Sequence, residues 1–311
     1  MKIGVVGAGA MGGILAAHLI KSGAEVTVID VDEKLLDKAA REGLSITGPA
    51  VNKIRGEFTA KPAATISDIS KLGPVDFIFV CVKTTVLDIV ASNLKKAWKP
   101  GTVLISFQNG IDPEDKLAEV AGRDDTLRVV INYAGHVVKP CVYSVNWFTP
   151  PSYIGALTDK GSAHAEKVSK ILNEAGITTE MVDDIKKSAF QKTAMNAAMC
   201  PVCTLTGQTM GEVMKLPETR QLIVELLNET MAIAEKMNWK LDHSVDDMLR
   251  YLEAGGPHKT SMAEDMNAGR KTEVVYMNGK VCDYGKKLGV PTPYNNAMRI
   301  AVLGKEQQIG K

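Results

Sequence analysis

The stretch KIGVVGAGAMGG, residues 2–13, limits what this chain can fold into more than any other segment. Ile3 to Val6 is a short, largely β-branched run of the kind that forms a buried parallel strand. It passes directly into Gly7-x-Gly9-x-x-Gly12 and then into a helical stretch from Met11 to Lys21. Gly7 permits a tight turn, Gly9 lets a pyrophosphate approach the backbone, and Gly12 lets the helix lie close to the strand. The helix N-terminus then offers N–H groups and a partial positive charge to phosphates. A second strand, AEVTVID, ends on Asp30, 18 positions after Gly12. Strand, glycine turn, helix and strand-end acid together predict a dinucleotide cradle built from Gly7, Ala8, Gly9, Ala10, Met11 and Gly12.

Asp30 and Asp32 bear on which nicotinamide cofactor such a cradle takes. A strand-end carboxylate accepts hydrogen bonds from a ribose 2′-hydroxyl but repels a 2′-phosphate. At a separation near 4 Å and an effective dielectric near 20, one such like-charge pair costs roughly 4 kcal/mol. No arginine occupies that turn, and the nearest cation is Lys34. The pattern favours NAD over NADP while leaving both open, because neighbouring loops can supply phosphate partners.

The α/β alternation continues downstream. VDFIFVCVK (75–83) reads as a buried strand, TVLDIVASNLKKAW as a helix and GTVLISFQNG as a strand entering a turn. TLRVVINYAG is a further strand, and HVVKPCVYSVNWFTPPSYIGAL an antiparallel extension broken by Pro150 and Pro151. SAHAEKVSKILNEAG is helical, and ITTEMVD closes this half as a strand. Lys83 and Asn109 stand just past strand ends, where open α/β sheets bind ligands. Both are candidate cofactor contacts; a surface lysine and a turn-forming asparagine are the plain alternatives.

From residue 184 the strand signal stops, and helical patterns run through 184–200, 211–238, 244–254, 258–288 and 293–303. The fold class expected is α/β: a Rossmann-type dinucleotide-binding domain over residues 1–183 and an all-helical domain over 184–311. Within AFQKTAMNAAMCPVCTLTG (189–207), Lys192 and Asn196 lie four residues apart on a mostly small, apolar helix. They therefore share a face. That face is either a solvated stripe or a catalytic surface lining a cleft. A second polar concentration, HKTSMAEDMNAGRKTEVVYMNGKVCDYGKKLGVPTP, carries Ser261, Asp265 and Glu273 among methionines and small residues.

Composition excludes several function classes. A formal net charge of +1, with no block of like charge, argues against nucleic acid or a membrane surface as a partner. The glycine-rich first twenty residues are a poor signal peptide or bilayer span, and a cytoplasmic protein is expected. Five cysteines, an odd number, suit a reducing compartment rather than a disulfide framework. Cys200 and Cys203 form a CxxC, but no second ligand pair accompanies it. They read better as small apolar residues at a bend set by Pro201 than as a metal or redox site, and no metal is expected.

GAGAMG near the N-terminus, QKTAMNAAM and TSMAEDMNAGRKTEVVYMNG followed by GVPTP together resemble the ketopantoate reductase (2-dehydropantoate 2-reductase) family, over essentially the whole chain. The segment Ser261–Gly279 is the most specific element; the lysine-x3-asparagine helix is shared with the β-hydroxyacid dehydrogenases. The resemblance implies that Gly7 to Gly12 hold the pyrophosphate, that Lys83 and Asn109 lie by the nicotinamide ribose, with Asn109 near substrate as well, and that Gly135 gives a backbone contact. It implies that Lys192 is the proton donor, Asn196 a substrate ligand, Ser261 a partner of the substrate carboxylate, and Glu273 a neighbour of Lys192 and the cofactor. Lys192 and Asn196 would then face an interdomain cleft.

The chain also departs from the family pattern. Cys200, Met210 and His258 stand where members carry asparagines, and Val31 stands where NADP-using relatives carry a basic residue. These changes remove hydrogen bonds that would grip a polar 2-keto acid. The expected function is reduction of a small-molecule 2-keto acid, ketopantoate first, to a D-2-hydroxy acid with NAD(P)H. An NAD-dependent dehydrogenase of branched or aromatic 2-keto acids competes with it. A catalytically silent dinucleotide-sensing protein is the alternative of another class. Methionine-rich helices such as 262–277 suit either a homodimer face or a core.

Overall fold

The computed structural model describes residues 1–52, 54 and 56–309. The chain divides into two units, Met1–Asn109 with Pro113–Ile185, and Gly110–Asp112 with Lys186–Lys311.

The first unit opens as the glycine motif predicts, with β1 (Lys2–Val6), α1 (Ala10–Lys21) and β2 (Glu25–Ile29). α2 (Glu33–Glu42) follows, and then three short strands, β3 (Leu44–Thr47), β4 (Phe58–Ala60) and β5 (Ala64–Ile66). The rest comprises β6 (Phe77–Val80), α3 (Leu87–Ala97), β7 (Val103–Ser106), α4 (Pro113–Ala121) and β8 (Thr126–Val130). After these come β9 (Tyr133–Lys139), β10 (Val142–Phe148), β11 (Ser152–Ala156), α5 (Ser162–Glu174) and β12 (Thr179–Met181).

Eight strands form one sheet in the order β12-β11-β8-β7-β6-β1-β2-β5. All its pairings are parallel except β11 with β8. β6, β7 and β8 are buried along their whole length, which is why they read as unbroken apolar runs rather than alternating ones. From β1 the chain goes to β2 on one side and returns as β6 on the other. That reversal creates the crevice at the carboxyl ends of β1 and β6 where such sheets take ligands. A second sheet, β4-β3-β10-β9, packs on α1, so the helix is buried continuously from Gly12 to Leu19.

TLRVVINYAG is two strands rather than one. β8 stays in the large sheet, while β9 pairs with β10 in the small one. Asn132 fixes the crossing: its amide nitrogen donates to the Pro151 carbonyl at 2.6 Å, and its backbone N–H donates to Ser152 Oγ at 3.1 Å.

Apart from Ile185, which closes the first unit, the second unit holds α6 (Ile185–Thr206), α7 (Met210–Lys215), α8 (Pro217–Lys236), α9 (Val245–Glu253), α10 (Ser261–Asn267), α11 (Asn278–Leu288) and α12 (Pro293–Glu306). Two expected helices are broken. The 211–238 pattern is interrupted at Leu216, whose ψ of 119° is extended because Pro217 follows it. The 258–288 pattern splits where Gly269 takes a φ of +66°, a left-handed conformation that ends α10. Met262, Met266 and Met277 are buried in the core beside Phe190, Ile233 and Val302. Among the described residues, no helix is long and apolar enough to cross a membrane.

Candidate active site

In the first unit, the glycines behave as three different constraints. Gly7 has φ +94°, and a Cβ there would lie 2.9 Å from the Val82 side chain. At Gly12 a Cβ would lie 1.8 Å from the Gly7 carbonyl oxygen, so helix and turn touch backbone to backbone. At Gly9 a Cβ would meet nothing within 4 Å. This space beside the N-terminus of α1 is what a pyrophosphate needs, and the residues present fit a dinucleotide.

The turn is braced from a distance. Tyr143 on β10 donates its hydroxyl to the Ala8 carbonyl at 2.8 Å, and its ring fills the space a Cβ on Gly13 would take. Sequence reasoning missed this residue; its signal was the extra glycine in AMGG. Gly135, expected as a backbone contact, also has a packing reason to lack a side chain: a Cβ there would lie 2.5 Å from the Ser144 carbonyl oxygen.

Asp30 is engaged with the turn itself. Its Oδ2 accepts the Ala8 N–H at 2.7 Å and its Oδ1 accepts the Asp32 N–H at 3.1 Å. Asp32 in turn caps α2 by accepting the Leu35 N–H at 3.1 Å. Val31 between them is 89% exposed.

A buried polar chain ties together the strand ends that carry Lys83 and Asn109. Arg128 on β8 lies 3.7 Å from the Glu114 carboxylate, both side chains being almost wholly buried. Arg128 Nη1 donates to Ser106 Oγ at 2.7 Å, Ser106 donates to Gln108 Oε1 at 3.3 Å, and Gln108 Nε2 donates to the Val82 carbonyl at 2.9 Å. A guanidinium only donates, so the direction of every bond follows from it. The chain ends one residue before Lys83 and begins its last link one residue before Asn109. Lys83 is exposed and Asn109 half-buried.

In the second unit, α6 is buried at Ala189, Phe190, Thr193, Ala194 and from Ala197 to Thr204, while Gln191, Lys192, Met195 and Asn196 are half-buried. Thr193, Ala194, Ala197 and Ala198 are at most 2% exposed, whereas Lys192 and Asn196 are half-buried. Four residues further along the same face, Cys200 is 5% exposed. Burial pushes its thiol up to about 12; Cys203 and the charge of Glu273 act in the same direction, and a hydrogen bond with Thr260 opposes them. Thr260 caps α10 by accepting the Ala263 N–H at 3.4 Å, and Ser261 is the exposed first residue of that helix. Glu273 is 9% exposed and stands in the segment opened by the break at Gly269.

Met210 and His258, two of the departures from the family pattern, meet along a short backbone ladder. Met210 N–H donates to the His258 carbonyl at 3.0 Å, and Gly211 N–H to the Gly256 carbonyl at 2.7 Å. The turn after Asn109 is held by the same unit: Ile111 N–H donates to the Tyr276 carbonyl at 2.8 Å. Gly110, at φ +96°, leaves no room for a Cβ against Tyr276. Asp112 pairs with Lys186 at 2.9 Å and accepts the Tyr284 hydroxyl at 3.0 Å.

Comparison with known proteins covers both units. Residues 3–158 match the family described as ketopantoate reductase PanE/ApbA, and residues 184–306 match its C-terminal counterpart. A 2-dehydropantoate 2-reductase of Archaeoglobus fulgidus is 26% identical over 309 residues, covering 98% of each chain. A PanE/ApbA family ketopantoate reductase from Ralstonia eutropha has the same fold, with a TM-score of 0.89 at 23% identity over the whole of both chains. D-mandelate dehydrogenase, solved with NADH and anilino(oxo)acetate, gives a TM-score of 0.86 at 26% identity, again over the whole of both chains.

Proposed function

The chain belongs to the ketopantoate reductase family, and on that premise we propose that it reduces ketopantoate to D-pantoate with a nicotinamide cofactor, Lys192 supplying the proton. It is an NAD(P)-dependent oxidoreductase. One observation carries the finer reading: a lysine and an amide four residues apart stay half-buried on one face of α6, with only Gln191 and Met195 as open beside them and Ala197 to Thr204 buried beyond. A solvated stripe would be exposed, and a packing stripe would be apolar.

A nicotinamide cofactor held by Gly7 to Gly12 would supply a hydride. Hydride addition at the keto carbon would leave negative charge on the carbonyl oxygen, which a proton must neutralise. A lysine ammonium supplies both the countercharge and the proton. Asn196 donates an amide hydrogen to the same substrate without competing for the proton. Ser261, exposed at the start of α10, serves the substrate carboxylate, and Glu273 orients the Lys192 ammonium. In the first unit, Gly7 to Gly12 seat the pyrophosphate, while Lys83, Asn109 and Gly135 serve the nicotinamide end. Asp30 serves the adenosine ribose, and it favours NAD.

A second reading has specific support. Cys200, Met210 and His258 replace amides expected to grip a polar substrate, and a structural relative of equal identity is a D-mandelate dehydrogenase. A branched or aromatic 2-keto acid is the substrate under that reading.

Steady-state rates with NADH and NADPH across ketopantoate, 2-ketoisovalerate, 2-ketoisocaproate and benzoylformate test both. Highest kcat/KM on ketopantoate is expected. A clear preference for one of the other three moves the assignment to the second reading. Cofactor binding without turnover on any of them would leave a dinucleotide-sensing protein.

A further inference from the structure

Helix α6 contains a proline at position 201. Proline has no N–H, so the carbonyl four residues earlier loses its helical donor, and the ring crowds that same carbonyl. The carbonyl in question belongs to Ala197, next to Asn196. It is satisfied from outside the helix: Asn278 Nδ2 donates to Ala197 O at 2.8 Å. Asn278 is wholly buried at the start of α11.

Asn278 is itself held by a relay whose direction the chemistry dictates. The Glu229 carboxylate on α8 accepts the backbone N–H of Tyr294 at 2.8 Å and of Asn295 at 2.9 Å, capping the first turn of α12. It also accepts Asn295 Nδ2 at 2.7 Å. A carboxylate only accepts here, so the amide nitrogen of Asn295 must face it, and Asn295 Oδ1 faces the other way. That oxygen accepts the second N–H of Asn278 at 2.9 Å. Both donors of Asn278 are thereby committed, one to Asn295 and one to Ala197.

We propose that Asn278 is a positioning residue for the reacting face of α6, replacing the hydrogen bond that Pro201 removes and so fixing the turn that carries Asn196, one turn beyond Lys192. The inference rests on the catalytic reading of Lys192 and Asn196. It accounts for a buried three-residue polar relay, Glu229–Asn295–Asn278, and for the tolerance of a proline within a 22-residue helix. A displaced turn misdirects side chains by amounts to which reaction rates respond steeply.

Four proteins test it together: Asn278→Ala, Pro201→Ala, the double variant and Lys192→Ala. Each is assayed for kcat, for the KM of cofactor and keto acid, and for thermal midpoint. Asn278→Ala is expected to lower kcat roughly 10- to 100-fold with the cofactor KM nearly unchanged. Pro201→Ala restores a backbone N–H four residues after Ala197, so the double variant should recover most of the lost kcat. A folded Asn278→Ala protein with wild-type kcat, or a loss that Pro201→Ala leaves in place, overturns the proposal. If Asn278→Ala alone is insoluble, the double variant decides: soluble and active supports the relay, insoluble or inactive overturns it. Lys192→Ala separates the two levels. Its full activity would remove the catalytic reading and the inference with it, whereas its inactivity beside an unaffected Asn278→Ala would remove the inference alone.

Discussion

The glycine turn of the first unit and helix α6 of the second would serve the proposed reaction in opposite ways. At the turn, under the proposed function, the useful groups are backbone N–H donors, and side chains matter by being absent: an open space at Gly9, a backbone contact at Gly12. On α6, under the proposed function, the useful groups are the side chains themselves, Lys192 and Asn196, and the backbone serves only to aim them. A site of the first kind fails when atoms are added, and a site of the second kind fails when atoms are removed. Mutations can therefore tell the two apart without a bound ligand in view.

The largest effect belongs to removal on α6. Lys192→Ala should lower turnover by about 10²- to 10⁴-fold, the range typical of general acid catalysis, while NADH binding measured by fluorescence stays nearly unchanged. A rate within a few fold of wild type would show that the half-buried ammonium has no part in proton transfer. The α6 side of the contrast would then collapse.

Addition at the turn comes next, and it separates two glycines of one motif. Gly12→Ala places a methyl 1.8 Å from the Gly7 oxygen, so α1 must shift off β1. A stability loss of about 1–3 kcal/mol or more is expected in urea unfolding. Gly9→Ala meets no protein atom, so the thermal midpoint should hold while cofactor affinity falls by about tenfold or more. If Gly9→Ala lowered stability and spared binding, the cradle would be assigned to the wrong atoms.

The same contrast governs what was legible beforehand. The turn is local: strand, three glycines, helix and strand-end acid lie within thirty residues, and each residue type carries its own conformational reason. Lys192 and Asn196 were visible through the 3.6-residue period, which needs only the helix. Contacts across long separations were not visible. Tyr143 reaches Ala8 over 135 positions and Asn278 reaches Ala197 over 81. Pro201 was read only as a bend, although a proline inside a helix also announces an orphaned carbonyl four residues back. The strands at 44–66 are three or four residues long, too short for an alternation to register. The pattern over 258–288 kept its helical period through Gly269, so the break that frees Glu273 from a helix was hidden.

Val31 offers a smaller and sharper test on the first unit. Asp30 and Asp32 are both occupied with backbone donors, whereas Val31 between them is 89% exposed and holds nothing. Val31→Arg adds a guanidinium without disturbing either cap. A 2′-phosphate would gain a charge-assisted partner, and the NADPH to NADH ratio of kcat/KM should rise by about tenfold, equivalent to roughly 1.4 kcal/mol. An unchanged ratio would place cofactor discrimination outside this turn.

The smallest effect concerns the CxxC pair at the end of α6. Burial pushes the Cys200 and Cys203 thiols up to about 12, from an ordinary value of 9.0. Desolvation penalises the thiolate, so the folded chain holds these protons more tightly than the unfolded chain does. Their contribution to stability is therefore complete below about pH 9 and declines as pH rises from 9 toward 12, where the unfolded thiols ionise first. Lysines also titrate in that window, so the measurement is a difference. Wild type and a Cys200→Ala, Cys203→Ala double variant are unfolded in urea at pH 8 and pH 10, and the wild type should lose more between the two. At pH 8 both thiols should resist iodoacetamide in the native protein and react once it is unfolded. Rapid native alkylation at either position would mean that thiolate forms there at neutral pH, and the pair would then be a reactive site rather than apolar lining of the helix end.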